Sequence, residues 1–195
     1  MMFDPALSLI EFSSIAVGIQ AADAMVKRAP IDVIRAGTVQ PGKYLVLVGG
    51  LTADVEESLS AGREVGRDAI VDIVFLPQVH PGVVAALQGG RSPEASDALG
   101  VLETTSVAAA IRAADAGIKG AQVELVEVRL ADGLGGKGIV LYSGLVADVE
   151  IAVALGIESL DSPEQLLRQV VIPQLHEEMW NNLSQATRFS ERVTV

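Results

Sequence analysis

Cysteine is absent from the 195 residues. That excludes disulfides, thiolate metal ligation, cysteine-held iron–sulfur clusters and a cysteine nucleophile. Aromatic residues make up only 4% of the chain. The core must therefore be built from Ala, Val, Ile and Leu, which lets helices lie close on a sheet and leaves few platforms for stacking a ligand. Basic residues are scarce: 14 Lys and Arg face 25 Asp and Glu, for a formal net charge of −11. A concentrated basic patch for nucleic acid is thereby excluded. No run approaches the roughly 18 apolar residues of a membrane span, and residues 1–8 lack the basic start and long apolar stretch of a signal peptide. The expectation is a cytoplasmic chain without a membrane partner. What is present is hydrophobic material, 50% of residues, enough to fill one large domain or two small ones.

That material is arranged twice. Glu11-Phe12-Ser13-Ser14 returns as Glu103-Thr104-Thr105-Ser106, and Ala21-Ala22-Asp23-Ala24 as Ala113-Ala114-Asp115-Ala116, with Lys27 matched by Lys119. Gly50-Leu51 and Ala53-Asp54-Val55-Glu56 return as Gly144-Leu145 and Ala147-Asp148-Val149-Glu150. Pro77-Gln78-Val79-His80 returns as Pro173-Gln174-Leu175-His176. Matches in the same order, with small insertions between them, mark an internal duplication. The copies are expected over residues 6–90 and 97–182, with a tail over 183–195. Residues 88–93, Gln-Gly-Gly-Arg-Ser-Pro, read as the linker.

Each copy predicts the same elements. Residues 7–12 and 99–104 read as short apolar strands, each followed by a helix with Ser14 or Ser106 as N-cap. Ile15, Ile19, Ala22 and Val26 mark one helical stripe, and Val107, Ile111, Ala114 and Ile118 repeat it, at the spacing that buries one face. Two strands follow, over 31–39 with 44–48 and over 123–130 with 139–142, each pair joined by a glycine-containing turn. A second helix starts near Asp54 and near Asp148, where a carboxylate suits the N-terminus. A last strand covers 70–76, and the repeat places its counterpart over 167–172. Just before the latter, Ser162-Pro163-Glu164-Gln165 reads as a helix start with a capping box. The order βαββαβ is the ferredoxin-like pattern, an α/β (α+β) fold present as two tandem, unpermuted copies. One copy alone is marginal in size, and two can share an interface. A duplicated chain also makes a ring with twice its true symmetry.

Motif by motif, catalysis finds little support. Gly133-Leu134-Gly135-Gly136-Lys137-Gly138 satisfies the spelling of a dinucleotide fingerprint, but a strand follows, whereas the pyrophosphate needs a helix N-terminus there. It reads as a flexible turn between strands, with the dissimilar Val39-Gln40-Pro41-Gly42 as its counterpart; two such loops are a natural place for function to diverge. His80 and His176 repeat at the end of the last strand, pointing to a structural or interface role rather than a metal site. Asp23 with Lys27 and Asp115 with Lys119 are spaced i, i+4: surface ion pairs worth at most about 0.5 kcal/mol, or lysines reaching a neighbouring subunit. Glu11 and Glu103 end strands with no catalytic partner in view.

Taken together, the leading strand ending in Glu, Ala-Ala-Asp-Ala-x-x-Lys, the Gly-rich loop, the Gly-x-x-Ala-Asp-Val helix start and Pro-x-x-His resemble the bacterial microcompartment shell family, twice over and across residues 7–180. The unpermuted tandem arrangement is similar to the trimeric shell proteins of propanediol-utilisation-type compartments, as is the ending Pro-Gln-Leu-His-Glu-Glu-Met-Trp at 173–180. The resemblance implies a homotrimer, a flat pseudohexagonal tile that meets other shell proteins at its edges and encloses an enzyme pathway. It places Gln40, Pro41, Gly42, Gly133, Leu134, Gly135 and Gly136 around a central pore for small metabolites. Lys27, Lys119, Gln78, His80, Gln174 and His176 fall at or near the tile edge. Some trimers of this kind hold an iron–sulfur cluster at the pore through one cysteine per subunit. Gln40 stands at that position here, so no cofactor is expected, and a ring of three amides would admit small polar solutes. The family's edge motif Pro-Arg-Pro-His carries Gln78 and Gln174 in place of arginine, which shifts edge contacts toward the lysines. The competing reading is a ferredoxin-like regulator that binds a small molecule between subunits. An enzyme is not expected, because no acid, base or nucleophile converges.

Overall fold

The computed structural model describes residues 6–89 and 96–185. The first copy runs β1 (Ala6–Phe12), α1 (Ile15–Arg28), β2 (Val33–Val39), β3 (Lys43–Gly50), α2 (Thr52–Gly66), β4 (Ile70–Leu76) and α3 (Pro81–Leu87). The second runs β5 (Ala98–Thr104), α4 (Val107–Gly120), β6 (Val123–Leu130), β7 (Gly138–Gly144), α5 (Val146–Glu158), β8 (Leu166–Pro173) and α6 (Glu177–Gln185). Each copy builds one antiparallel four-stranded sheet, in the orders β2-β3-β1-β4 and β6-β7-β5-β8. The expected α+β fold is present in both. The linker residues 90–93 and the tail residues Arg188, Glu191 and Arg192 lie outside the described residues.

Strand alternation sets the layers, because successive side chains point to opposite faces. In the first sheet Ala6, Ile10, Phe12, Val46 and Val48 face inward onto Ala21, Ala22 and Met25 of α1 and Val55 and Leu59 of α2. Leu7 and Leu9 face the other way. In the second sheet Leu102, Val140 and Tyr142 are buried with Ala110, Ala113 and Ala114 of α4 and Val149, Ala152 and Val153 of α5. Small residues let helix and sheet approach closely: a Cβ at Gly117 would stand 2.6 Å from the Tyr142 hydroxyl oxygen. That hydroxyl donates to the carbonyl of Ala113 at 2.6 Å. Burial, reinforced by the Asp115 carboxylate, pushes the Tyr142 phenol above its ordinary range. A phenol held neutral by folding stabilises the protein fully below the unfolded value of about 10, and the contribution fades as pH rises beyond it. Thermal melts are expected to lose stability above about pH 10, and Tyr142→Phe to flatten that decline.

The helix starts follow the sequence. The Ser14 hydroxyl accepts from the Val17 N–H at 3.4 Å and the Ser106 hydroxyl from Ala109 at 3.2 Å. The Ser162 expectation needs correcting. Pro163–Gln165 forms one 3-10 turn without a side-chain cap from Ser162, and β8 begins immediately after it. Gln165 instead accepts from the Asp161 N–H at 2.8 Å and donates to Asp72 in the first copy at 3.0 Å. Sheet pairing with β5 overrides the local helix signal.

The outer faces of the two sheets differ. In the second, α6 lays Trp180 over Leu99, Val126 and Leu141. In the first, Val84 of α3 holds the position equivalent to Trp180 in the repeat. Val84 lines a cavity of about 580 Å³ together with Leu7, Leu9, Leu45 and Leu47.

Candidate assembly interface

Of the stripe Ile15, Ile19, Ala22, Val26, only Ala22 faces its own core. Gly18, Ala21, Ala22 and Met25 are the buried positions of α1, while Ile15, Ile19 and Val26 stand exposed. The matching stripe of α4 is covered by Val74 of β4 and by α3, both from the first copy. One periodic pattern thus meets two environments, and the difference defines a seam between the copies.

Polar contacts fix the register of that seam. Glu11, fully buried at the end of β1, takes the Lys43 ammonium at 2.5 Å and the Val107 N–H at 2.9 Å. Its carboxylate therefore caps the N-terminus of α4 across the copies, where negative charge is favourable. Ser106 donates to Asp72. Arg112 donates to the Ile73 carbonyl at 2.6 Å and pairs with Asp161 at 2.7 Å. Asp115, expected in a surface pair, is instead nearly buried, and accepts from the His80 N–H at 2.8 Å and from Lys119 at 2.5 Å. Lys119 also donates to the Gln78 carbonyl. Three residues placed at the tile edge by the resemblance, Lys119, Gln78 and His80, thus meet at one end of the seam. Lys27 pairs with Asp23 at 2.5 Å on an open surface. Gln174 has an unusual positive φ of 53° and donates its N–H to Asp97 at 2.6 Å. His80 and His176 serve as helix caps: Nδ1 accepts from Gly82 N–H at 3.1 Å in one and from Glu178 N–H at 3.2 Å in the other.

The two Gly-rich loops meet at the opposite end of the strands. The Gln40 N–H donates to Asp132 Oδ1 at 3.2 Å, and the Gln40 side-chain oxygen accepts from the Gly133 N–H at 3.3 Å. A Cβ on Gly136 would come within 2.7 Å of Pro41. Gly42, Gly133, Gly135 and Gly136 all hold positive φ, which only glycine adopts at little cost. Leu134 is half-buried in the same loop. Asp132 and Lys43 were not singled out in the sequence; nothing along the chain announces contacts between residues 92 positions apart, as for Gln40 with Asp132, or 32 apart, as for Glu11 with Lys43. Among the described residues no group of three or more His, Asp or Glu side chains is placed to hold a metal ion, and no helix is long and apolar enough to cross a membrane.

Two folded copies, a polar-stitched seam and paired loops describe an assembly module. The BMC domain model matches residues 6–79 and again 98–175, so the chain belongs to the BMC-domain family and is a bacterial microcompartment shell protein with two such domains in tandem. It is 39% identical to the bacterial microcompartment shell protein PduT of Citrobacter freundii, over 91% of this chain and 97% of that one. A microcompartment protein of Desulfitobacterium hafniense DCB superposes with a TM-score of 0.78 at 42% identity, covering 89% of this chain and 97% of the other. The carboxysome assembly protein CcmO of Synechocystis is 27% identical over 94% of this chain and 66% of its own length.

Proposed function

We propose that three chains close head to tail into a flat pseudohexagonal ring, a structural shell tile rather than an enzyme, with a central pore for small metabolites. One observation carries this reading. Residues buried in the seam within the chain have counterparts that are exposed at its free ends. Ile111 is 0% exposed and its counterpart Ile19 53%; Val74 is 1% and Val170 42%; Val83 is 0% and Met179 51%. Glu11 follows the rule too: its side chain is 0% exposed, against 35% for Glu103. The free ends are thus the two unmatched halves of the seam already formed once. A heterologous contact of this kind repeats until it closes on itself. In the ring, β8 of one chain covers α1 of the next, and Glu103 caps α1 at the Ile15 N–H.

Closure brings the loops 40–42 and 131–137 of three chains around the axis. Gln40, Pro41, Gly42, Gly133, Leu134, Gly135 and Gly136 then line the passage, a narrow ring of amides and backbone groups suited to small polar solutes. The opposite ends form the perimeter, where Lys27, Lys119, Gln78, His80, Gln174 and His176 face adjoining shell proteins. Light scattering on the purified chain tests the reading. Three chains of 20.3 kDa, about 61 kDa, are expected, or larger assemblies built from that unit. A stable monomer or dimer would overturn the ring and favour a ligand-binding regulator.

A further inference from the structure

The outer faces of the two sheets share one wall. In the second copy Leu99, Val101, Ile139, Leu141, Leu175 and Leu183 pack around Trp180. Their counterparts in the repeat, Leu7, Leu9, Leu45, Leu47, Val79 and Leu87, all line the cavity of about 580 Å³ in the first copy. Val84 takes the position of the indole. Val126, which packs beside Trp180, falls at the register shift of β6 and has no counterpart in β2. A wall that closes on an aromatic ring in one copy thus surrounds, in the other, a volume within the roughly 300–1,000 Å³ of small-molecule sites.

The rim differs in charge. Glu127 and Arg129 stand on β6 opposite Leu141 and Ile139, so the second copy carries both signs there. The equivalent positions on β2, opposite Leu47 and Leu45, hold Arg35 and Gly37. Arg35 lines the cavity, donates to the Ile34 carbonyl at 3.2 Å and meets no carboxylate among the described residues. Thr38 and Gln88 line it as well, adding a hydroxyl and an amide. In a chain of net charge −11, a guanidinium without a counter-ion beside an apolar cavity selects for a carboxylate, which it can grip with two hydrogen bonds.

We propose that this cavity binds a small aromatic carboxylate. The ring takes the place that Trp180 fills in the second copy, and the carboxylate pairs with Arg35. Leu130 is the one lining residue from the second copy, and it belongs to the same chain. The site is therefore complete in one chain and does not depend on the ring reading above. Val39 and Leu130, at the ends of β2 and β6, also line it, so the bound molecule rests against the bases of both Gly-rich loops.

The test is a ligand-observed NMR titration of the whole chain with indole-3-propionate and, separately, with its neutral amide. Saturable binding of the acid at roughly millimolar concentration or tighter is expected, with the amide weaker. Arg35→Gln, a change at an exposed residue, is expected to weaken the acid about fivefold and to leave the amide where it was. Val84→Trp, which repeats the second copy's arrangement, is expected to abolish binding of both without lowering the melting temperature. The Arg35→Gln comparison decides the matter even where that tryptophan is not accommodated. A parent without saturable binding of the acid would overturn the site, as would undiminished binding to a folded Val84→Trp variant. Equal affinities of the acid for the parent and Arg35→Gln would overturn the pairing that selects the ligand.

Discussion

Ile15→Asp with Ile19→Asp is expected to yield a folded monomer in place of the ring. The two isoleucines contribute nothing to the core of their own domain, which takes Gly18, Ala21, Ala22 and Met25 from α1. Far-ultraviolet circular dichroism and the melting temperature should therefore stay close to those of a monomeric parent. Burial of one isoleucine is worth about 1.5–3 kcal/mol, and a carboxylate forced against the apolar Val170 surface adds a desolvation cost of several kcal/mol. Two such changes at every junction should weaken association by more than about a thousandfold. Sedimentation at micromolar concentration would read this directly. A variant that still sediments as three chains would mean that α1 is not a seam surface.

Glu11→Ala should be the most damaging single substitution to the chain itself. It leaves the Lys43 ammonium, only 19% exposed, without its partner and the Val107 N–H without an acceptor. Removing one member of a buried ion pair costs about 3–5 kcal/mol. For a chain of this size that corresponds to a fall on the order of 10 °C in melting temperature. Glu103→Ala is the built-in control. Its partner Lys137 lies at 3.5 Å and the carboxylate is partly open to solvent, so in a monomeric Ile15→Asp/Ile19→Asp background it should cost less than about 1 kcal/mol. In the ring, where Glu103 caps the neighbour's α1, its loss should approach that of Glu11. Equal effects in the monomeric background would contradict the asymmetry between the two seams.

The sequence pattern conveyed the duplication, the order of strands and helices, and strand β4 to the residue, because each rests on local periodicity. It missed α3 and α6, which are too short to show a helical period. The stripe on α1 was read correctly as a stripe and wrongly as a core face. Periodicity reports that a face is apolar but not which body covers it, and the identical stripe on α4 shows both answers within one chain. Asp115 and Lys119 had the spacing of a surface pair, and only the folded seam adds the His80 N–H and the Gln78 carbonyl. The histidines were expected at strand ends; they lie four residues past Leu76 and three past Pro173, and their capping bonds depend on helices that the pattern did not reveal. The loops were singled out for their glycines. That Gln40 joins Asp132 and Gly133 could not be seen, since contacts between distant positions leave no trace in a single sequence.

The covalent connection between the two BMC domains changes the arithmetic of building a shell. In the proposed ring three of the six junctions are already made, one inside each chain, so they form at any dilution, at an effective concentration set by the connection rather than by expression level. Ring formation then follows the third power of protein concentration instead of the sixth. A tile of this design persists at copy numbers where six separate domains would remain dispersed, and it can serve as a minority component among more abundant neighbours.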